Sequence, residues 1–552
     1  MNNALILIIY YFSILISILG YGIFFLGLFK KQLNSSNFGY VGLFGIYILL
    51  IYSYLSNFIL AHSELHNIIL LMLGISLFSL KLFKHFSRYK KEFFLTILVF
   101  FLISSSLFLY KNHDDFPYYH FPYTYYLTQQ SFYIGVGQFN HGFRTPSSIF
   151  YLSSLFYLPK AGYSLIHLAP VFFLGFSNYI FINKIYLNLK NKENFYIILL
   201  SLSSLALANI FFYRMAEHGT DRSAQIIILI IFIELLQLIN LKKINVSLLN
   251  KILILITITI SLKAFYLIYA ILLIPIVYYQ KKKISFLIEF FRNKIFYLCL
   301  CLFFLVILTN FFNTGCLIYP LSFTCNEKLI WAISLEQVDA MNNWYQLWSK
   351  GGATPSGGVQ NSDFYVQNFN WVSNWINVYF FNKVLDYLLG LLFLALIFFL
   401  AFFNWKDKTS FINKRKYLIL YLIVFILFYE WFYNHPALRY GGYHLIILLI
   451  FLPLSLFIEK KIIFNQNLIK KVNVILAIIV LVFLSRNILR INKEIDVYSF
   501  NFYKNASYNK IFENHNHYKN ILRIKNCHVS KKCPNENILI QRKFNKDIFY
   551  KK

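Results

Sequence analysis

Apolar runs of roughly 18–25 residues recur from the start of the chain to about residue 487. A helix needs about 20 such residues to cross a hydrocarbon core of about 30 Å. Inside lipid, backbone N–H and C=O groups must be bonded within a helix or around a closed barrel. The alternating polar and apolar tracts of a barrel are missing, so helices are the spanning elements. Composition agrees: 58% of the 552 residues are hydrophobic, 20% aromatic and only 13% charged. That excludes a soluble globular domain. The first segment, near 4–29, has no basic leader and no small-residue cleavage site, and reads as a retained helix rather than a signal peptide.

The expected architecture is an all-α polytopic membrane protein of about fourteen transmembrane helices. They fall near 4–29, 39–61, 65–84, 94–110, 163–183, 194–212, 223–240, 251–262, 264–279, 295–312, 384–403, 417–433, 443–458 and 472–487. Short basic loops, such as Lys81 through Lys91 and Lys184 through Lys192, alternate with non-basic ones and assign the former to the cytoplasm. The net charge of +30 therefore reports orientation, and no nucleic-acid module accompanies it. Three parts follow: N-terminal membrane helices (1–93), a core (94–487) with large outer loops at 111–162 and 313–383, and a small extracytoplasmic tail (488–552). The apolar stretch 146–160 is too short to cross and is expected as an interfacial helix in the first outer loop. Cys316 with Cys325, and Cys527 with Cys533, are candidate disulfides on the outer side, where such bonds survive. The inner (cytoplasmic) membrane is the expected location, with the functional face toward the periplasm or exterior.

The outer loops collect the residues that carry chemistry. The first holds His113-Asp114-Asp115-Phe116-Pro117-Tyr118-Tyr119-His120 at the exit of an apolar helix. One aspartate there would be a helix cap; two, between two histidines at head-group depth, exceed a cap's needs. A carboxylate held there can deprotonate a hydroxyl. The second loop, around Glu217, His218, Asp221 and Arg222, and the isolated Lys263 add cations able to hold phosphate. A third cluster puts Arg439 and Tyr440 beside Gly441 and Gly442. No cofactor is required by these residues, but a divalent cation, Mg or Mn, could be held with Asp115 and Asp221 as its candidate ligands. The loop 313–383 concentrates tryptophans, including Trp344 and Trp348, suited to belt anchoring or to stacking on sugar rings.

Three short motifs resemble the GT-C superfamily of polytopic membrane glycosyltransferases. They are Asp114-Asp115 followed by Tyr119-His120, the run Asn313-Thr314-Gly315-Cys316-Leu317-Ile318-Tyr319-Pro320, and Arg439-Tyr440. The second is similar to a Gly-Asn-Pro-x-Tyr-Pro stretch of many bacterial members. The resemblance covers roughly 94–458, and the layout also resembles a group of uncharacterised bacterial proteins with extra helices before the acidic loop. It implies inverting transfer of a sugar from a polyprenyl-phosphate donor to a glycan or lipid acceptor, with Asp114 or Asp115 as base and Tyr319 near the substrate. The rival readings are an O-antigen-type oligosaccharide ligase or polymerase, which would lean on Arg and His, and a lipid-linked-sugar flippase or transporter. The latter would need charged residues deep in the spans and polar groups on both faces.

Overall fold

The computed structural model describes residues 3–33, 37–113, 115–215, 219–241, 245–279, 283–353, 362–403, 415–459, 462, 464–499, 501, 526–527, 533, 537–543 and 546–551, with the side chains of 3, 82–88 and 415–416 not described. Asp114, Glu217, His218 and most of the tail lie outside the described residues. Long helices dominate. The first nine are α1 (Asn3–Leu28), α2 (Phe38–Asn57), α3 (Glu64–Leu102), α4 (Phe121–Gln129), α5 (Ser148–Ser154), α6 (Ala169–Asn191), α7 (Phe195–Ala206), α8 (Gly219–Asn240) and α9 (Val246–Leu262). Then come α10 (Ile274–Tyr278), α11 (Lys283–Phe291), α12 (Lys294–Thr314), α13 (Leu335–Lys350), α14 (Ser362–Val366) and α15 (Val372–Trp375). The last four are α16 (Leu385–Phe402), α17 (Arg415–Asn434), α18 (Gly442–Glu459) and α19 (Gln466–Tyr498).

Among the described residues, eleven helical segments are long and apolar enough to cross a membrane. The other three expected spans are shorter apolar helices, Phe195–Phe211, Val246–Leu262 and Ala264–Tyr278. The chain is thus an all-α polytopic protein; among the described residues, the strands are an antiparallel hairpin of β1 (Ile538–Lys543) and β2 (Lys546–Lys551). Burial sorts the helices. In the most apolar stretch of Tyr163–Asn191, Gly219–Asn240 and Phe38–Asn57, 94%, 89% and 83% of the residues are buried, against 22% in those of Val372–Phe402 and Gln466–Tyr498, which present apolar side chains outward. A central group carries the core, and the outer helices suit contact with lipid.

Local chemistry sets many helix ends. Asn37, Ser63, Asn245 and Ser334 each accept a backbone N–H at an N-terminus, satisfying one of the donors a helix start leaves open. Gly315 ends α12 at φ +81°, a left-handed position that glycine takes without strain. The run assigned to α3 folds back on itself. Phe78 and Phe93 have ring centroids 5.5 Å apart, whereas fifteen residues of straight helix would separate them by about 22 Å. Tyr21 Oη donates to Leu70 O (2.7 Å) in one limb and Tyr11 Oη to Phe100 O (3.0 Å) in the other, so α1 fastens both.

Two expectations change. The stretch 146–160 is not interfacial: α5 is buried along its whole length, with the Tyr151 ring stacked 3.8 Å from Tyr54 of α2. Its serines are satisfied inside, Ser154 Oγ meeting His62 Nδ1 at 2.7 Å, so it needs no membrane surface. The tail does not begin at 488, because α19 continues to Tyr498. Glu494 there accepts Arg490 Nε at 2.7 Å and the backbone N–H of Tyr110 at 2.7 Å, which ties this helix to the root of the acidic loop. Both disulfides form between the expected partners, Cys316–Cys325 and Cys527–Cys533.

The N-terminal helices approach closely through glycine. A Cβ on Gly45 would lie 2.0 Å from Ile18 O, and one on Gly22 1.9 Å from Val41 O. Small residues let backbones meet where lipid offers no hydrophobic drive to association. Gly45→Val is expected to cost about 1–3 kcal/mol, read as a lower unfolding midpoint in detergent. An unchanged midpoint would contradict this α1–α2 packing.

Candidate functional site

Four charged side chains from distant parts of the chain meet at one end of the bundle. Asp115 stands just before the turn Phe116–His120 that leads into α4. Asp221 is in the first turn of α8, Lys263 directly follows α9, and Arg439 lies on the 3-10 turn Leu438–Tyr440 before α18. Arg439 Nη2 is 3.3 Å from Asp115 Oδ2, and its Nε is 3.3 Å from Asp221 Oδ2. One guanidinium therefore joins two carboxylates, using the fork geometry particular to arginine. Lys263 Nζ donates to the other Asp221 oxygen.

The backbone around Arg439 is held on several sides. Gln225 Nε2 of α8 donates to Arg439 O (2.6 Å), Tyr379 Oη accepts the Leu438 N–H (3.0 Å), and Trp431 Nε1 donates to Ala437 O (2.9 Å). Gly442 lets the start of α18 press on Trp431, since a Cβ there would lie 2.5 Å from that indole. Aromatic faces complete the cation shell. The Arg439 guanidinium lies 5.2 Å from the Trp348 ring and 5.3 Å from Tyr440, with Lys263 Nζ 4.5 Å from Tyr440, within cation–π range.

Protonation follows from burial and charge. Burial alone would push the Asp115 carboxyl up, but Arg439 first, then His120 and His113, hold it below the ordinary value. Burial lowers His120 to about 3, against the pull of Asp115, and lowers His435 to about 4, with Lys350 and Lys263 adding to the effect. These two imidazoles are neutral near pH 7, so Lys263 and Arg439 supply the site's positive charge. Burial also raises the Tyr440 hydroxyl to about 12, against the pull of Arg439.

Asp115, Lys263, Arg439, Tyr440 and the two imidazoles line a cavity of about 690 Å³, and Asp221 is buried beside it. Leu262, Phe265, Leu267 and Ile268 make one part of its wall apolar; Asn342, Trp344, Tyr345 and Gln346 of α13 make another part polar and aromatic. Pockets of this size and mixed character are ordinary ligand sites.

A family model described as a domain of unknown function (DUF8201) matches residues 4–446. The chain belongs to that family. The match takes in Asp115, Asp221, Lys263 and Arg439 and stops short of α19 and the tail. No curated protein and no solved structure gives a significant match.

The other expected residues divide. His120 and Tyr319 line the cavity, with the Tyr319 hydroxyl accepting Arg144 Nη1 at 2.6 Å. His113 Nδ1 lies 3.3 Å from Asp115 Oδ2 and accepts the Asp115 backbone N–H. Arg222 does not join them: its guanidinium lies 5.0 Å from the Phe212 ring. One residue past Asp221 on a helix turns the side chain by about 100°, onto another face. Glu430, which sequence reasoning passed over inside an apolar span, also lines the cavity and accepts Asn434 Nδ2 at 3.1 Å. Its signal was a carboxylate within membrane-spanning sequence. As a metal pair, Asp115 and Asp221 fit poorly, since each already faces a cationic side chain. The described residues contain no group of three or more His, Cys, Asp or Glu suited to an ion.

Removing Arg439 leaves two carboxylates facing each other. Arg439→Ala is expected to cost roughly 2–3 kcal/mol, below a fully buried pair because Arg439 and Asp115 are partly exposed, and adding Asp221→Asn should restore part of it. Because the folded Asp115 pKa is depressed, its stabilisation is complete above the unfolded value of about 3.9 and disappears as pH falls through the lower folded value. Thermal midpoints of wild type and Asp115→Asn should therefore differ at neutral pH and converge in acid.

Proposed function

We propose that this chain is a GT-C-like membrane glycosyltransferase that takes its sugar from a polyprenyl-phosphate donor. It passes the sugar to an extracytoplasmic glycan or lipid acceptor with inversion. The observation that carries the reading is the Asp115–Arg439–Asp221–Lys263 chain, whose Asp115, Arg439 and Lys263 line a cavity with one apolar and one aromatic, amide-bearing wall while Asp221 holds both cations from behind. A lipid phosphate that carries a sugar needs both kinds of wall, plus cations where they join.

The step is a displacement at the anomeric carbon. The acceptor hydroxyl oxygen attacks that carbon, the carbon–oxygen bond to phosphate breaks, and polyprenyl phosphate leaves with the electron pair. Asp115 takes the hydroxyl proton, while Lys263 and Arg439 hold the leaving phosphate. The charge arrangement links binding to catalysis. Phosphate drawing on Arg439 would loosen its hold on Asp115, so the carboxylate becomes a better base when donor is present. Trp344 and Tyr345 offer faces for sugar rings. The Cys316–Cys325 bridge closes the loop carrying Ile318, Tyr319 and Pro320, which line the same cavity. A disulfide there fits an oxidising compartment, in keeping with an inner-membrane protein whose site faces the periplasm or exterior.

Full-length protein in nanodiscs, given a panel of polyprenyl-phosphate monosaccharides and envelope glycan extract, should release polyprenyl phosphate. Asp115→Asn is expected to lower kcat about 10²-fold or more, and Arg439→Ala to raise KM as well. Turnover should survive chelation by EDTA, because the two carboxylates already have side-chain cations. Wild-type turnover in both Asp115→Asn and Asp221→Asn would end the proposal, and Asp114→Asn, tested alongside them, is expected to retain turnover.

A further inference from the structure

A second cavity, of about 960 Å³, lies toward the opposite end of the bundle. Helix α8 connects the two. Asp221 is in its first turn, and Glu234, Gln237 and Asn240, toward its end, line the second cavity. Asp221 and Glu234 are therefore about 20 Å apart along the axis. Between them, Ile226 through Ile233 are apolar and buried, so this stretch of α8 offers no polar path from one cavity to the other.

Charge deep within membrane-crossing helices is costly and usually serves a ligand, a relay or a pair. A pair is present. Lys184 of α6 places Nζ 2.7 Å from Glu234 Oε1 and 2.7 Å from Gln237 Oε1, and Tyr40 Oη donates to the same Glu234 oxygen. Fastening α2, α6 and α8 together would need no more than this. The lining goes further: four lysines, Lys30, Lys81, Lys184 and Lys251, share the cavity with three carboxylates. Two of those carboxylates are engaged, Glu234 as above and Glu92 by the Phe38 backbone N–H at 2.9 Å. Lys251 makes no ion pair among the described residues. Its ammonium rests 4.7 Å from the centre of the Tyr40 ring, a position that steadies a cation and leaves its donors for another acceptor. Amides of Asn183, Asn188, Asn191, Asn194 and Gln237 line the same space. Lysine donors in excess of carboxylates, with amides and tyrosines beside them, suit an anion esterified to a polar group.

We propose that this cavity is a second ligand site, taking a phosphate monoester, with Lys251 as its central cation and Lys81 and Lys30 beside it. The phosphate is carried either on a lipid or on a soluble molecule. The proposal does not depend on the sugar-transfer reading, since the two cavities share no lining residue.

The test is thermal unfolding of the full chain in phosphatidylcholine nanodiscs, with phosphatidic acid added to the bilayer or glycerol 3-phosphate added to the buffer. Binding to the folded state raises the midpoint. A rise with phosphatidic acid assigns the lipid source, and a rise with glycerol 3-phosphate alone the soluble one. Lys251→Met is expected to weaken the apparent affinity about tenfold or more, with the midpoint in plain phosphatidylcholine unchanged. Lys81→Ala, on another part of the lining, should weaken it several-fold and keeps the test valid should Lys251→Met not fold. Arg439→Ala should retain the full response. The proposal is overturned by no response to either probe in the wild type, or by wild-type responses in both lysine variants.

Discussion

One guanidinium shared by two carboxylates organises the functional end of this molecule. Arg439 reaches Asp115 and Asp221 at the same distance, 3.3 Å, and Lys263 completes the charge balance on Asp221. In a partly dehydrated site such charges have no alternative solvent, so each fixes the others. The consequence reaches well beyond the four residues. The loop leading to α4, the N-terminus of α8, the C-terminus of α9 and the turn before α18 are each pinned at one end by this set. The aromatic rings of Trp348 and Tyr440 then shield the cations without neutralising them.

The same balance makes the site responsive. Two negative and two positive side chains satisfy one another, and an arriving anion has to compete for Arg439 and Lys263. Whatever displaces the carboxylates from their cations also frees them to accept a proton. This is the physical content of the sugar-transfer proposal, to which the cavity wall adds apolar side chains on one part and an aromatic, amide-bearing helix on another. The second cavity is built differently. Its central Lys184–Glu234 pair is buried, and Lys251, laid on Tyr40, stands outside that pair. The two polar sites sit toward opposite ends of α8, with the buried apolar stretch Ile226 through Ile233 between them.

Much of the fold was legible because membrane burial imposes a simple rule on sequence. Each of the fourteen apolar segments expected from hydropathy corresponds to a helix, eleven of spanning length and three shorter. The cysteine pairs were legible because each closes a loop of a few residues. The failures have a common cause. The stretch 146–160 looked interfacial because length and hydropathy do not reveal that its serines and tyrosines find partners in α2 and near His62. Glu430 was passed over because one carboxylate does little to the hydropathy of a span. Arg222 was grouped with Asp221 by adjacency, but neighbours on a helix point to different faces.

The sequence by itself determined that the chain crosses lipid in helices, and that acids, bases and aromatic rings gather at certain helix mouths. Both follow from solvation: apolar runs leave water, and ionisable groups stay where they can be paired or wetted. Only the tertiary structure decided which of those groups meet. Asp115 and Arg439 are 324 positions apart, and their contact depends on the rotation and depth of each helix. Those are fixed by side-chain packing across the bundle, a property that no local stretch of sequence contains.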